Sequence, residues 1–152
     1  MSYENIEYLA LLDVLEHQAD DHAFLGELLQ KMAQGSTLIV TVPAVMGLWS
    51  GSDVALGHHR RYDRTSFRRA IAGLPVQVIE MSFLFPEMIP LALLRRWLRK
   101  TSSNGEVTDE SAAFPDLPLI VNDGLYALGS ASLSVRRYVP AGSSLLAVLR
   151  KT

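Results

Sequence analysis

Cysteine is absent from all 152 residues, which excludes a disulfide, a thiolate zinc site and a cysteine nucleophile. Any metal would have to be held by oxygen and imidazole ligands, and a cytoplasmic compartment is permitted. Excess charge is missing too: 14 basic and 16 acidic side chains leave a formal charge of -2, so no nucleic-acid partner is expected. There is no long apolar run, because the most apolar stretch, residues 81–94, is broken by Pro86, Glu87 and Pro90 and is too short to span a bilayer. The first residues, Met1-Ser2-Tyr3-Glu4-Asn5, lack the basic and apolar segments of a secretory signal, so the expected location is cytoplasmic. What is present, 49% hydrophobic residues, suffices for one soluble domain with a sizeable core.

The apolar runs give an α/β pattern. A run from Ile6 to Leu12, ending at Asp13, fits a buried strand with a polar residue at its carboxyl end. Phe24, Leu25, Leu28, Leu29 and Met32 then recur at helical spacing between an N-cap at Asp20 or Asp21 and an exit at Gly35. Residues 37–42, Thr-Leu-Ile-Val-Thr-Val, are β-branched and apolar on both faces, as in a central parallel strand, and Pro43 ends them. These pieces make a βαβ unit. Further on, Thr65 is a candidate cap for a short helix carrying Phe67, Ala70 and Ile71. That helix ends at Gly73 and Pro75, before a strand over 76–83. A helix is expected over 91–99, a mobile loop over 101–118, another helix within 119–138, and a last strand over 144–149 after a turn at Gly142.

Chemistry-bearing residues concentrate in two places. Asp13, Glu16 and His17 stand at relative positions 0, 3 and 4, so one helical turn would project all three to the same side. With His58 or His59 added, such a set can ligate a divalent ion. Without a metal, Glu16 and His17 would cap the next helix or line a pocket. The connection over 44–63 holds Trp49, Asp53, His58, His59, Arg60, Arg61 and Tyr62, a high density of functional groups for a loop. Its bland reading pairs the arginines with Asp53 or Asp63 and packs Tyr62 beneath the loop, with Trp49 as core or lid packing. Residues 91–100 mix Leu94, Trp97 and Leu98 with Arg95, Arg96, Arg99 and Lys100. This suits a surface helix with a cationic carboxyl end, or one that lies on a membrane or covers an apolar substrate.

The order and spacing of Tyr8-Leu9-Ala10-Leu11-Leu12-Asp13-Val14-Leu15-Glu16-His17 with Asp20-Asp21, of Leu38-Ile39-Val40-Thr41-Val42-Pro43-Ala44, of Leu48-Trp49-Ser50 with Asp53, and of Gly57-His58-His59-Arg60-Arg61-Tyr62 resemble class I S-adenosylmethionine-dependent methyltransferases of the broad small-molecule type, from the family's fourth strand onward. The resemblance is close over residues 6–85 and looser for the last strand. It implies a partial Rossmann-like sheet of about four strands, mixed, with an antiparallel last strand and flanking helices. It also implies methyl transfer from S-adenosylmethionine to a small-molecule acceptor. By the same resemblance Asp13, Val14 and Leu15 lie on the cofactor side and Trp49 and Asp53 on the acceptor side. His17, His58, Arg60, Arg61 and Tyr62 become the catalytic candidates, with His17 or His58 as base.

A related metal-dependent branch has a Glu-x-x-Glu-His set where this chain has Asp13, Glu16 and His17. The family's glycine-rich cofactor loop has no counterpart, since none of the ten glycines forms a Gly-x-Gly. The expectation is therefore a truncated domain whose strand from Ile6 to Leu12 is an apolar edge, covered by a second copy or by a partner chain carrying the other half. The alternative function is a non-catalytic module acting in dimerisation or needing a partner chain for the missing half.

Overall fold

The computed structural model describes residues 5–101 and 118–152. Four strands form one mixed sheet in the order β1-β2-β4-β3: β1 is Tyr8–Leu12, β2 Thr37–Pro43, β3 Val76–Leu84 and β4 Ser144–Lys151. β1 runs parallel to β2, with Tyr8 opposite Thr37 and Leu12 opposite Thr41. Helix α1, Asp21–Lys31, makes the crossover, completing the βαβ unit. β4 is antiparallel to both β2 and β3. The α/β class and the mixed four-stranded sheet are thus as the sequence implies.

Local chemistry accounts for the boundaries. The Asp20 carboxylate accepts from the Ala23 N–H at 2.9 Å and so caps α1. In β2, Leu38, Val40 and Val42 are fully buried, while Thr37, Ile39, Thr41 and Pro43 on the other face are half-buried. The first strand departs from the expected burial. In β1, Tyr8, Ala10 and Leu12 are exposed on one face, because the strand is the sheet's edge and only β2 flanks it among the described residues.

The connection after β2 is more ordered than its sequence suggests. It holds a 3₁₀ turn, Met46–Leu48, and helix α2, Gly51–Ala55. Helix α3, Arg64–Ala70, is capped by Asp63 rather than by Thr65: its carboxylate takes the Ser66 N–H at 2.6 Å while the Asp63 N–H donates back to the Ser66 hydroxyl at 2.9 Å. Helix α4, Met88–Thr101, starts three residues before the expected Leu91 and α5 spans Leu119–Ser134. The expected mobile loop falls mostly on residues 102–117, outside the described residues. Its ends belong to helices, Thr101 closing α4 and Pro118 capping α5. The core lies between β2 and β4 on one side and α1 and α3 on the other. Leu25, Leu29, Leu38, Val40, Phe67 and Leu145 fill it.

Candidate functional site

Both parallel strands of the βαβ unit end at the same rim, where open α/β sheets gather their chemistry. β1 delivers Asp13 there, in a left-handed conformation with φ 53°. Its N–H donates to the Thr41 carbonyl at 3.0 Å, and its carboxylate accepts from the Thr41 hydroxyl at 3.4 Å. The 3₁₀ turn that follows covers only Leu15–His17. Asp13 therefore lies before the turn, and the single helix face expected of Asp13, Glu16 and His17 does not form. Leu15 turns into the core, Val14 is half-buried and Asp13 is exposed.

The second contribution comes from α2 and the chain after it. Asp53 is 1% exposed, and four kinds of donor meet its carboxylate, one of them the Ser50 hydroxyl at 3.2 Å from Oδ2. Arg61 grips it with two hydrogen bonds, Nε to Oδ1 at 2.8 Å and Nη2 to Oδ2 at 3.1 Å. The Ser50 N–H donates to Oδ2 at 2.8 Å, and His58 Nδ1 lies 3.1 Å from Oδ1. Burial raises the Asp53 pKa, but Arg61, His58 and the Ser50 N–H outweigh it and hold the carboxyl below its ordinary range. An ionised carboxylate only accepts, so Nδ1 of His58 carries the proton and Nε2 presents its lone pair on the opposite side. This carboxylate–imidazole pair spans five residues and closes because Gly57, with φ +73°, reverses the chain between its members.

Nε2 of His58 faces Glu16. The Glu16 carboxylate is fully buried, stands 4.0 Å from Nε2, and neither of its oxygens has a hydrogen-bond partner. Desolvation raises its pKa above the ordinary 4.5; its own backbone N–H opposes this most, Asp13 acts in the same direction as burial, and His58 and His17 oppose it. His17 is exposed and meets the His58 ring edge-on, with centroids 4.7 Å apart. One ligand atom each from Glu16, His17 and His58 lie within 4.8 Å of one another, a donor set that could hold a divalent ion, and Asp13 is not part of that set.

The remaining candidates sit around this centre. Arg60 reaches the other way, pairing with Asp21 at 2.9 Å and donating to the Ala19 carbonyl at 2.6 Å. Tyr62 is a core residue, and its hydroxyl donates to Asp21 at 2.8 Å. Burial first, then Asp21, pushes its pKa far up, so it stays protonated. Tyr62 also ties the loop to the sheet through a bridge to Ala44. Trp49 is half-buried just before α2, and His59 is exposed, its N–H bonded to the Glu16 carbonyl at 2.8 Å. The sequence implies an acceptor-side place for Asp53 but not its pairing with His58. The signal was the Ser50-x-x-Asp53 capping pattern, which places Asp53 inside a short helix instead of a loose loop. A groove of about 540 Å³ opens at the opposite end of the sheet, along residues 5–8 and 33–37. Its only charged residues are Glu7 and Arg150, so it offers no comparable chemistry.

No protein-family profile matches the chain, and no curated protein does. Solved structures do match. A complex between the Haloferax volcanii Trm112 methyltransferase activator and a candidate methyltransferase aligns with TM-score 0.51 at 14% identity, over 99% of this chain and 56% of the other. Phosphoethanolamine N-methyltransferase 2 of Haemonchus contortus, solved with S-adenosyl-L-methionine, aligns with TM-score 0.51 at 12% identity, over 95% of this chain and 33% of the other. The [4+2]-cyclase SpnF also gives 0.51, at 11% identity, over 98% of this chain and 52% of that one. At such identities the likeness is one of fold: the chain has the class I methyltransferase fold. It spans between one third and about half the length of these three proteins. A cyclase among them illustrates that this fold serves more than one chemistry.

Proposed function

We propose that this chain forms the acceptor side of a methyl-transfer site, with His58 as the base that takes a proton from a small-molecule acceptor. The observation that carries the proposal is the Asp53–His58 pair at the rim of the parallel strands, its imidazole fixed by a buried, arginine-compensated carboxylate. S-adenosylmethionine would lie against Asp13 and the backbone of Val14 and Leu15, where the exposed Asp13 carboxylate can meet a hydroxyl or amine. When bound, it supplies a methyl group on a sulfonium, which leaves without acid help. The work of this chain is then to hold the acceptor and accept its proton at Nε2 of His58 while Asp53 keeps Nδ1 protonated. Trp49 would wall the acceptor, and Arg61 and Tyr62 would serve by fixing Asp53 and the loop.

In this reading the Gly-x-Gly function comes from elsewhere, either a partner chain or a longer form of the protein. Calorimetric titration of the isolated chain with S-adenosylhomocysteine is expected to give no micromolar binding. Methyl transfer assayed with the complementary half present should fall about a hundredfold in kcat for His58→Gln. Undiminished kcat in that variant would remove His58 from the mechanism.

A second reading is favoured by the partnerless Glu16 carboxylate. A lone pair on His58 Nε2 aimed at a buried carboxylate is unfavourable unless a proton or a cation lies between them. Glu16, His17 and His58 have the donor chemistry for Mn²⁺ or Zn²⁺, and Asp53 supplies the outer carboxylate that ligating imidazoles usually have. Titration with Mn²⁺ followed by electron paramagnetic resonance separates the readings: one bound ion per chain, lost in Glu16→Gln, supports the cation, and free Mn²⁺ throughout supports the proton.

A further inference from the structure

We infer that Asp21 is a positioning residue for the methyl-transfer site: it clasps the strap over 58–62 to the turn Leu15–His17 and so fixes His58 relative to the cofactor side. The consequence for catalysis rests on the methyl-transfer reading; the clasp itself rests on geometry alone. Asp21 opens α1 but does not cap it, since the Asp20 carboxylate already takes the Ala23 N–H. Its own carboxylate is left for distant partners. Oδ2 meets two side chains of the strap, accepting from the Tyr62 hydroxyl at 2.8 Å and pairing with Nη1 of Arg60 at 2.9 Å. Nη2 of Arg60 donates to the Ala19 carbonyl at 2.6 Å, so the planar guanidinium grips the chain on both sides of Asp20. The Asp21 side chain is 13% exposed, and the pair is screened less than one at the open surface.

What the clasp joins gives it a role beyond stability. The strap is anchored to the end of β2, where the Tyr62 N–H donates to the Pro43 carbonyl at 2.8 Å and the Tyr62 carbonyl accepts from the Val45 N–H at 3.2 Å. The turn Leu15–His17 instead continues from β1, beyond Asp13. Among the described residues no side chain of that turn hydrogen-bonds to the strap: Glu16 stops 4.0 Å short of His58 Nε2, and His17 lies edge-on to its ring. Two bonds run from the strap to main-chain carbonyls of the turn. The His59 N–H reaches Glu16 at 2.8 Å, and the Tyr62 hydroxyl, which Asp21 aims, approaches Leu15 at 3.4 Å. Methyl donor and acceptor must be held in line, and a misplacement of about 1 Å costs on the order of a hundredfold in rate. Asp21 supplies that registration without touching either reactant.

The test on the chain alone is the nuclear Overhauser contact between ring protons of His17 and His58, whose centroids lie 4.7 Å apart. The contact is expected in the wild type and should be lost in Asp21→Ala. Arg60→Gln changes a half-exposed side chain, should weaken the same contact, and carries the test if Asp21→Ala does not fold. Asp63→Ala is the control for lost stability: it uncaps α3 and should keep the contact. With the complementary half present, Asp21→Ala should lower kcat about tenfold or more, with KM for S-adenosylmethionine little changed. Persistence of the ring contact in Asp21→Ala, its equal loss in Asp63→Ala, or an undiminished kcat in Asp21→Ala where His58→Gln lowers it would each overturn the proposal. Failure of the methyl-transfer reading shows separately, as an undiminished kcat in His58→Gln.

Discussion

Glu16 contributes unfavourably to the fold as a lone buried anion, and this gives its titration a definite sign. Its folded pKa lies above the ordinary 4.5, so the native state holds the proton longer than the unfolded chain. The stability it contributes is complete below pH 4.5 and is lost as pH rises through the folded value. The metal-free protein should therefore gain stability as pH falls from neutral toward 4.5. Glu16→Gln should flatten that dependence and raise neutral-pH stability by about 1–3 kcal/mol in urea unfolding. A wild-type profile that does not rise in that window would contradict the assignment. Asp53 is the opposite case. Asp53→Asn breaks a buried pair and strands Arg61, so about 3 kcal/mol should be lost. The sequence supplied these residues and the possibility that an arginine pairs with Asp53. It could not supply the His58 contact, which exists only once α2 forms and Gly57 reverses the chain.

At the scale of elements, boundaries written in short-range chemistry were readable and those set by distant packing were not. The helix over 21–31 announces itself through Asp20 and its apolar spacing. The cap of α3 was misplaced because Thr65 and Asp63 are both plausible by residue type, and only the reciprocal bonds with Ser66 decide between them. Asp63→Ala should cost about 1 kcal/mol and lower the thermal midpoint, whereas Thr65→Ala should change little. Gly142 is legible as a turn residue, but its actual constraint is long-range. A Cβ there would run into the Leu84 carbonyl oxygen at the end of β3, a backbone atom that cannot swing aside. Gly142→Ala should destabilise by about 1–3 kcal/mol in urea unfolding by forcing the β3–β4 corner open.

At the scale of the molecule, the sheet has one guarded edge and one that no further strand flanks among the described residues. The β3 edge is flanked by the turn after α5, where Arg136 and Arg137 both reach Glu80, at 2.7 and 3.1 Å, across its bulge. The β1 edge has no strand on its outer side among the described residues, and it carries Tyr8 at 67% and Leu12 at 62% exposure without a charged side chain between them. Short apolar edges of this kind are templates for strand addition. Asp13 lies at the end of that same strand, so whatever covers the edge also approaches the proposed cofactor side. Homodimer formation through β1 is the simplest cover, and sedimentation equilibrium at micromolar concentration should reveal it. Tyr8→Lys with Leu12→Lys should return the chain to a monomer whose thermal midpoint no longer depends on protein concentration, because association no longer adds to the stability of the native state. A wild-type chain that stays monomeric across the concentration range would exclude the homodimer, leaving the edge to a chain of different sequence whose capture would have to be blocked by the same two lysines.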